Sequence, residues 1–272
     1  MFNTPWSAEM STKTLRNPAV AGTFYPAQPA KLAALVKGYL QAAAVNAAAP
    51  KAIIAPHAGY VYSGPIAASA YARIVQARER IKRVVLLGPA HRLAFRGLAL
   101  PSADAFVTPL GEVPVDKQAL TGIIDLPQVH TVDEAHAHEH SLEVQLPFLQ
   151  TVLADFRLLP LAVGEASAEE VGEVLERLWG GPETLIVISS DLSHYHDYET
   201  AQRLDAATSR AIELLRGQDI RYEHACGRNP VNGLLHVARK HGLHARTIDL
   251  RNSGDTAGPR DHVVGYGAYV FE

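Results

Sequence analysis

A chain of 272 residues with 47% hydrophobic content is long enough to bury a large core as one α/β domain. Its 25 Lys and Arg against 28 Asp and Glu leave a formal charge of −3, and the basic residues are scattered rather than gathered into a phosphate-neutralising stripe, which argues against nucleic acid as a partner. A single cysteine excludes an internal disulfide framework, and no stretch has signal-peptide character or approaches the roughly 20 apolar residues of a spanning helix, so a cytoplasmic protein with no membrane contact is expected.

Residues 1–16 read as a flexible polar leader and residues 17–272 as one domain. Pro29 opens an alanine-rich helix to about Ala44, and KAIIAP is the first β-rich apolar run. Ser63 and Pro65 then form a start signal for the helix PIAASAYARIVQA. KRVVLLGPA has the fully apolar pattern of a strand buried on both faces, and GLALPSADAFVTPLGEVPVD reads as further strands with a hairpin, punctuated by prolines and Gly111. EHSLEVQLPFLQTVL predicts a helix with Pro147 as a kink or boundary; FRLLPLAV and TLIVIS predict strands, with the helix ASAEEVGEVLERLW between them. Helices follow from Tyr198 to about Arg216 and from Asn229 and Pro230, and strands near ARTIDL and YGAYVFE close the chain. Strands alternating with helices, plus a hairpin, predict an α/β fold around a mostly parallel but mixed sheet.

The chemistry gathers at strand ends. His57, in APHAGY, and His91, in GPAHR, each follow a predicted buried strand, and ligands in open α/β sheets bind outside the carboxyl ends of the strands. Two turn histidines bonded to backbone are the plain alternative. Asp191 and His194 repeat the placement in SSDLSHYH, where the carboxylate can fix the ring of a general acid or base; a capping Asp191 beside a solvent-facing His194 is the other reading. Cys226, in ACGRNPVNGLL, stands just before a predicted helix start, where the macrodipole favours a thiolate. A buried structural thiol is the ordinary alternative there. With two imidazoles it completes a His2Cys set suited to zinc, copper or iron. In DEAHAHEHSLE, His136, His138 and His140 alternate, and His140 is the one placed to approach a site. Tyr60 and Tyr62 can donate a proton or stack on a substrate, with plain packing as the alternative, and Asn252, Ser253 and Asp255 form a small polar loop. A dinucleotide fingerprint, a P-loop and a GxSxG elbow are all absent.

Taken in order, NPAVAGTFYP, APHAGYVYSGP, GPAHR, EHSLEVQLPFL, SSDLSHYH, ACGRNPVNGLL and NSGDTAG resemble the Memo family, whose bacterial and archaeal members are called AmmeMemoRadiSam system protein B. The resemblance implies a three-layer α/β/α sandwich similar to class III extradiol dioxygenases. It also implies one transition-metal ion, Fe(II) or Cu with Zn as the third candidate, held by His57, His91 and Cys226, with Asp191 and His194 alongside. Extradiol enzymes use a carboxylate where this sequence offers a thiol. The expected function is a metal-dependent oxidative enzyme acting on a small molecule or peptide in the metal cleft, with radical-SAM and AMMECR1-like proteins as partners. The competing expectation is a non-catalytic peptide-binding or metal-handling protein that uses the same cleft.

Overall fold

The computed structural model describes residues 13–272. In chain order the elements are β1 (Leu15–Arg16), α1 (Pro29–Ala42), β2 (Ala52–Ala55), α2 (Tyr60–Ala72), β3 (Arg83–Pro89), β4 (Leu98–Leu100), β5 (Ala105–Thr108), β6 (Gly111–Pro114), α3 (Lys117–Leu120), β7 (Val129–Thr131), α4 (Glu134–Ala137), α5 (Leu146–Val152), β8 (Arg157–Val163), α6 (Ala168–Arg177), β9 (Thr184–Ser189), β10 (His194–His196), α7 (Tyr198–Glu213), α8 (Arg228–Lys240), β11 (Ala245–Asn252) and β12 (Val263–Phe271). Of the expected leader, residues 1–12 lie outside the described residues, and Leu15–Arg16 are strand, pairing in parallel with Ala105–Phe106. Among the described residues no helix is long and apolar enough to cross a membrane.

The main sheet has nine strands in the order β10-β12-β2-β9-β3-β8-β4-β7, with β11 paired to β12. Its centre, β2, β9, β3 and β8, is parallel, whereas β12 and β4 run antiparallel to their neighbours β2 and β8. Every residue of β2 and β9 is buried, and so is all of β3 beyond Arg83 and of β8 beyond Arg157. Strands buried at consecutive positions need cover on both faces. Helices supply it: α8 packs on β3, β9 and α6, while α1, α2 and α5 pack together and α2 also meets β2, β11 and β12. The hairpin β5–β6 leaves the main sheet and joins β1 in a small three-stranded one.

Three expected boundaries move. α2 starts at Tyr60, so Pro65 lies inside it rather than at its head. Tertiary packing outweighs the proline signal: Tyr60, Ser63 and Gly64 are buried, and a Cβ on Gly64 would lie 2.6 Å from the Tyr39 ring. The helix expected over EHSLEVQLPFLQTVL is a 3-10 turn at Glu143–Gln145 and then α5, with Pro147 in its first turn. α8 starts at Arg228, one residue before Asn229. α6 shows why the remaining helices were readable, since the Ser167 hydroxyl accepts from Glu170 N–H while Glu170 reaches back to Ser167 N–H.

Candidate metal centre

β2, β9 and β3 lie side by side and parallel, so their carboxyl ends open at one edge of the sheet. His57 follows β2 by two residues, Asp191 follows β9 by two and His91 follows β3 by two. The histidines turn inward across β9 until their ring centroids are 5.2 Å apart. Cys226 arrives from the turn before α8, with Sγ 3.3 Å from His57 Nε2. His57, His91 and Cys226 each offer a ligand atom, all within 4.8 Å of one another. Tetrahedral bonds of about 2.0–2.3 Å place ligand atoms about 3.3–3.6 Å apart, so the set fits a single ion after small side-chain adjustments.

Hydrogen bonds fix which ring nitrogen faces that point. Ser189 Oγ donates its only proton to Ser141 O at 2.6 Å and accepts from Gln145 Nε2 at 2.8 Å. His57 Nδ1, 2.9 Å from the same oxygen, must therefore be the donor, which leaves the lone pair on Nε2. Gln145 is itself oriented, because Nε2 also donates to Pro56 O at 2.9 Å while Oε1 accepts from Tyr71 Oη at 2.8 Å. For His91 the fixing group is a carboxylate: Glu139 Oε1 lies 2.9 Å from Nδ1, which orients the ring with Nε2 away from Glu139. Two residues on, Ser141 packs against Gly88, where a Cβ would fall 2.8 Å from Ser141 Oγ. Burial opposes ionisation of Glu139, but hydrogen bonds from the His91 ring and from backbone N–H groups overcome it and hold the carboxyl at about 2. His91, Glu139 and His140 also cluster within ligand distance. Glu139 is already occupied by His91, His140 N–H and Ser141 N–H, which makes it the orienting partner of one centre.

Two of the cleft imidazoles are already in the form that a cation requires. Burial first, then the neighbouring imidazoles, pushes His57 well below its ordinary value, and burial likewise lowers His140 to about 4, so both rings are neutral near pH 7. Cys226 departs from the sequence expectation of a favoured thiolate. Burial, followed by the Asp191 carboxylate, pushes the thiol up, so a bound cation would have to displace its proton.

The other expected residues divide. Asp191 does not orient His194: its Oδ1 accepts from His57 N–H at 2.7 Å, and burial raises the carboxyl to about 7 against the hydrogen bonds from His57 and Ala58 N–H. The His194 ring is held by Leu192 instead, Nδ1 donating to the carbonyl at 2.8 Å, so its Nε2 is a free base on the cleft wall. His140 lines the cleft, stacked on His91 at 4.7 Å, whereas His136 is buried against Ala99 O and His138 is exposed. Tyr60 is not a cleft residue; being inside α2, it donates to Val144 O at 2.6 Å and packs on Phe148 in the core. Asn252 and Asp255 build their own turn, Asn252 accepting from Gly254 N–H and Asp255 from Asn252 N–H and Tyr198 Oη. Of that loop, Ser253 reaches the cleft. Tyr62, unlike Tyr60, lines the cleft of about 780 Å³, as do Phe24, Tyr195 and Tyr222, which the sequence did not single out.

The family model for Memo-like proteins matches residues 16–270. The chain belongs to the Memo family. A MEMO1 family protein of Aquifex aeolicus is 37% identical over 268 residues, covering 94% of this chain and 99% of that protein. One from Archaeoglobus fulgidus is 35% identical over 276 residues, with 94% and 99% covered. The solved structure of an uncharacterized Escherichia coli K12 protein shares the fold, with a TM-score of 0.52 at 13% identity, covering 80% of this chain and 98% of that one.

In this Memo chain, removing the Ser189 hydroxyl tests the orientation of His57. Ser189→Ala leaves Ser141 O, the Gln145 amide and His57 Nδ1 without their common partner. It is expected to weaken Zn(II) binding about 10- to 100-fold and stability by about 1–3 kcal/mol. Metal titration with a chelator competitor and urea unfolding measure the two; unchanged affinity would show that His57 needs no orienting partner.

Proposed function

We propose that this Memo-family chain is a metal-dependent oxidative protein whose centre is His57, His91 and Cys226 and whose small-molecule substrate lies in the adjoining cleft. The observation that carries the reading is the convergence of two imidazoles and one thiol at a strand-end crevice, each imidazole fixed from behind by a hydrogen-bond partner. Imidazole and thiolate donors suit Fe(II) or Cu, with Zn the third candidate, and such an ion when bound supplies Lewis acidity and, for iron or copper, one-electron chemistry with oxygen. The two-histidine arrangement beside an open cleft supports kinship with class III extradiol dioxygenases, with thiolate in place of carboxylate softening the third ligand. His194, its Nδ1 committed to Leu192 O, presents Nε2 to the cleft as an acceptor for a substrate proton. Asp191 holds the His57 and Ala58 backbone, with its second carboxyl oxygen 4.0 Å from His57 Nε2. We place the protein in the cytoplasm with radical-SAM and AMMECR1-like partners, a reading supported by the family resemblance.

Protein purified anaerobically is expected to hold about one iron or copper per chain. His194→Ala should keep that stoichiometry while losing oxygen consumption, because the ring is committed to Leu192 and the cleft rather than to the ligand triangle. Elemental analysis and an oxygen electrode read the two quantities. A His194→Ala chain that loses its metal would make His194 a ligand, and wild-type protein that retains no metal after desalting would overturn the centre.

A further inference from the structure

Among the described residues the buried tyrosines are Tyr25, Tyr60, Tyr71, Tyr266 and Tyr269. All but one place the hydroxyl on a partner. Tyr25 donates to Glu143 at 2.5 Å, Tyr60 to Val144 O at 2.6 Å and Tyr71 to Gln145 Oε1 at 2.8 Å, while Tyr269 meets Ser209 Oγ at 2.7 Å. Tyr266 is the exception: it is 1% exposed, yet its hydroxyl makes no hydrogen bond with any described residue. A buried phenol ordinarily finds an acceptor, because an unpaired donor has given up its hydration for nothing. The hydroxyl is not sealed in either. The fully enclosed side-chain atoms without a partner belong to other residues, and Tyr266 lines the metal cleft, so the small part of it that is accessible includes Oη. β12 brings it there. Val264 and Tyr266 are two apart on the strand and both line the cleft. Gly265 between them is bonded to the turn after Asp191, its N–H donating to Ser193 O and its carbonyl accepting from Leu192 N–H, both at 2.8 Å. Asp191 in turn touches two of the ligand residues, Oδ1 accepting from His57 N–H at 2.7 Å and the carbonyl lying 3.7 Å from Cys226 Sγ. Burial, then the Asp191 charge, pushes the Tyr266 hydroxyl up, so it is a donor near pH 7. A donor held by a buried ring has no reorganisation to undergo when an acceptor arrives.

We propose that Tyr266 is a preorganised hydrogen-bond donor to an oxygen of the small molecule bound in this cleft, so that the site takes ligands carrying an anionic or carbonyl oxygen. The inference deepens the proposed function and rests on it for the place of the metal, but not for the donor itself, since Tyr266 is outside the ligand set. Donor and base are separate groups. The cleft offers the O–H of Tyr266 and the lone pair of His194 Nε2, and a ligand is held by accepting from the first and giving to the second. A hydroxyl kept unpaired for a ligand has a signature that a structural hydroxyl lacks: its removal does not weaken the fold.

The test compares wild type with Tyr266→Phe, which removes one oxygen atom and keeps the ring. Co(II) serves as the metal because its visible spectrum reports ligand exchange. Acetate is the oxygen-bearing probe, and imidazole is the contrast, since it binds a metal through nitrogen and has no acceptor left for Tyr266. Tyr266→Phe should take up Co(II) in the wild-type ratio, bind acetate about 10-fold more weakly and bind imidazole within about 2-fold of wild type. Its thermal midpoint should equal that of wild type or exceed it, whereas Tyr269→Phe, on the same strand, should lower the midpoint because Ser209 loses its partner. No acetate binding by wild type, or equal affinity in the two proteins, would overturn the proposal. A parallel loss of both probes or a lowered midpoint in Tyr266→Phe would overturn it too, by making the hydroxyl structural. A chain that takes up no Co(II) would sink the metal centre alone. Acetate is then followed in metal-free protein through the thermal midpoint, where wild type should gain more than Tyr266→Phe and equal gains would remove the donor.

Discussion

His57→Ala is expected to weaken metal affinity by more than about 100-fold, beyond the ceiling for residues that only orient a ligand. The same loss is expected for His91→Ala, but the two variants should differ in stability. His57 is 2% exposed and shares Ser189 with the Gln145 relay, so its removal takes one of three hydrogen bonds from a buried hydroxyl and opens a void against β9. His91 is exposed, and its loss returns Glu139 to three backbone N–H donors, those of His91, His140 and Ser141. We therefore expect His57→Ala to lower stability by about 1–3 kcal/mol and His91→Ala by much less. Competitive metal titration paired with urea unfolding separates the two effects. The ordering is the sharper test: both alanine variants should bind metal more weakly than Ser189→Ala. If Ser189→Ala is the worst of the three, Ser189 is shaping the site in a way that the His57 orientation argument does not contain.

The ligands were legible in the sequence because strand ends are. Apolar runs bounded by Gly and Pro mark β2 and β3, and a histidine two residues past such a run is delivered to the carboxyl edge whatever the rest of the chain does. What supports those ligands was not legible. Glu139 reaches His91 from the segment after α4, 48 residues along the chain, and Ser189 looks from sequence like the last residue of an apolar strand. Such partners are set by a side chain's reach across strands, and no local spacing encodes it. Pro65 misled for a related reason, since the gain from burying Tyr60 and Gly64 exceeds the one backbone bond a proline forfeits. Asp191 and His194 are three residues apart and looked like partners, but the chain turns between them and each finds backbone instead. Tyr195 is the clearest case: alternation assigns it to the wrong side, and only a bulge in β10, invisible in composition, brings it to the cleft.

Glu143→Ala is expected to be the most destabilising single change in the chain, at about 3–5 kcal/mol. Glu143 is fully buried and accepts four hydrogen bonds: Val20 N–H at 3.0 Å and Tyr25 Oη at 2.5 Å on Oε1, Ala19 N–H at 2.7 Å and Arg16 on Oε2. Burial, with the adjacent Glu143 charge, pushes the Tyr25 hydroxyl up, so it stays a donor throughout the accessible pH range. Arg16 spends its other donors on His136 O at 3.0 Å and Glu139 O at 2.5 Å. Truncation at Glu143 thus strands a buried guanidinium, two backbone N–H groups and a phenol at once. A compensating Arg16→Met would remove the stranded charge but not the orphaned backbone donors, so the double variant should recover only part of the loss. The exposed pair of Lys13 with Glu112 is the internal control, and Lys13→Ala should change stability by less than about 1 kcal/mol. The consequence reaches the cleft, because the segment that Glu143 anchors carries Phe24, whose carbonyl accepts from Tyr60 N–H at the head of α2, three residues after His57. Urea unfolding of Glu143→Ala beside Lys13→Ala decides the matter: similar losses would mean that the N-terminal segment is held by its apolar contacts and not by the buried carboxylate.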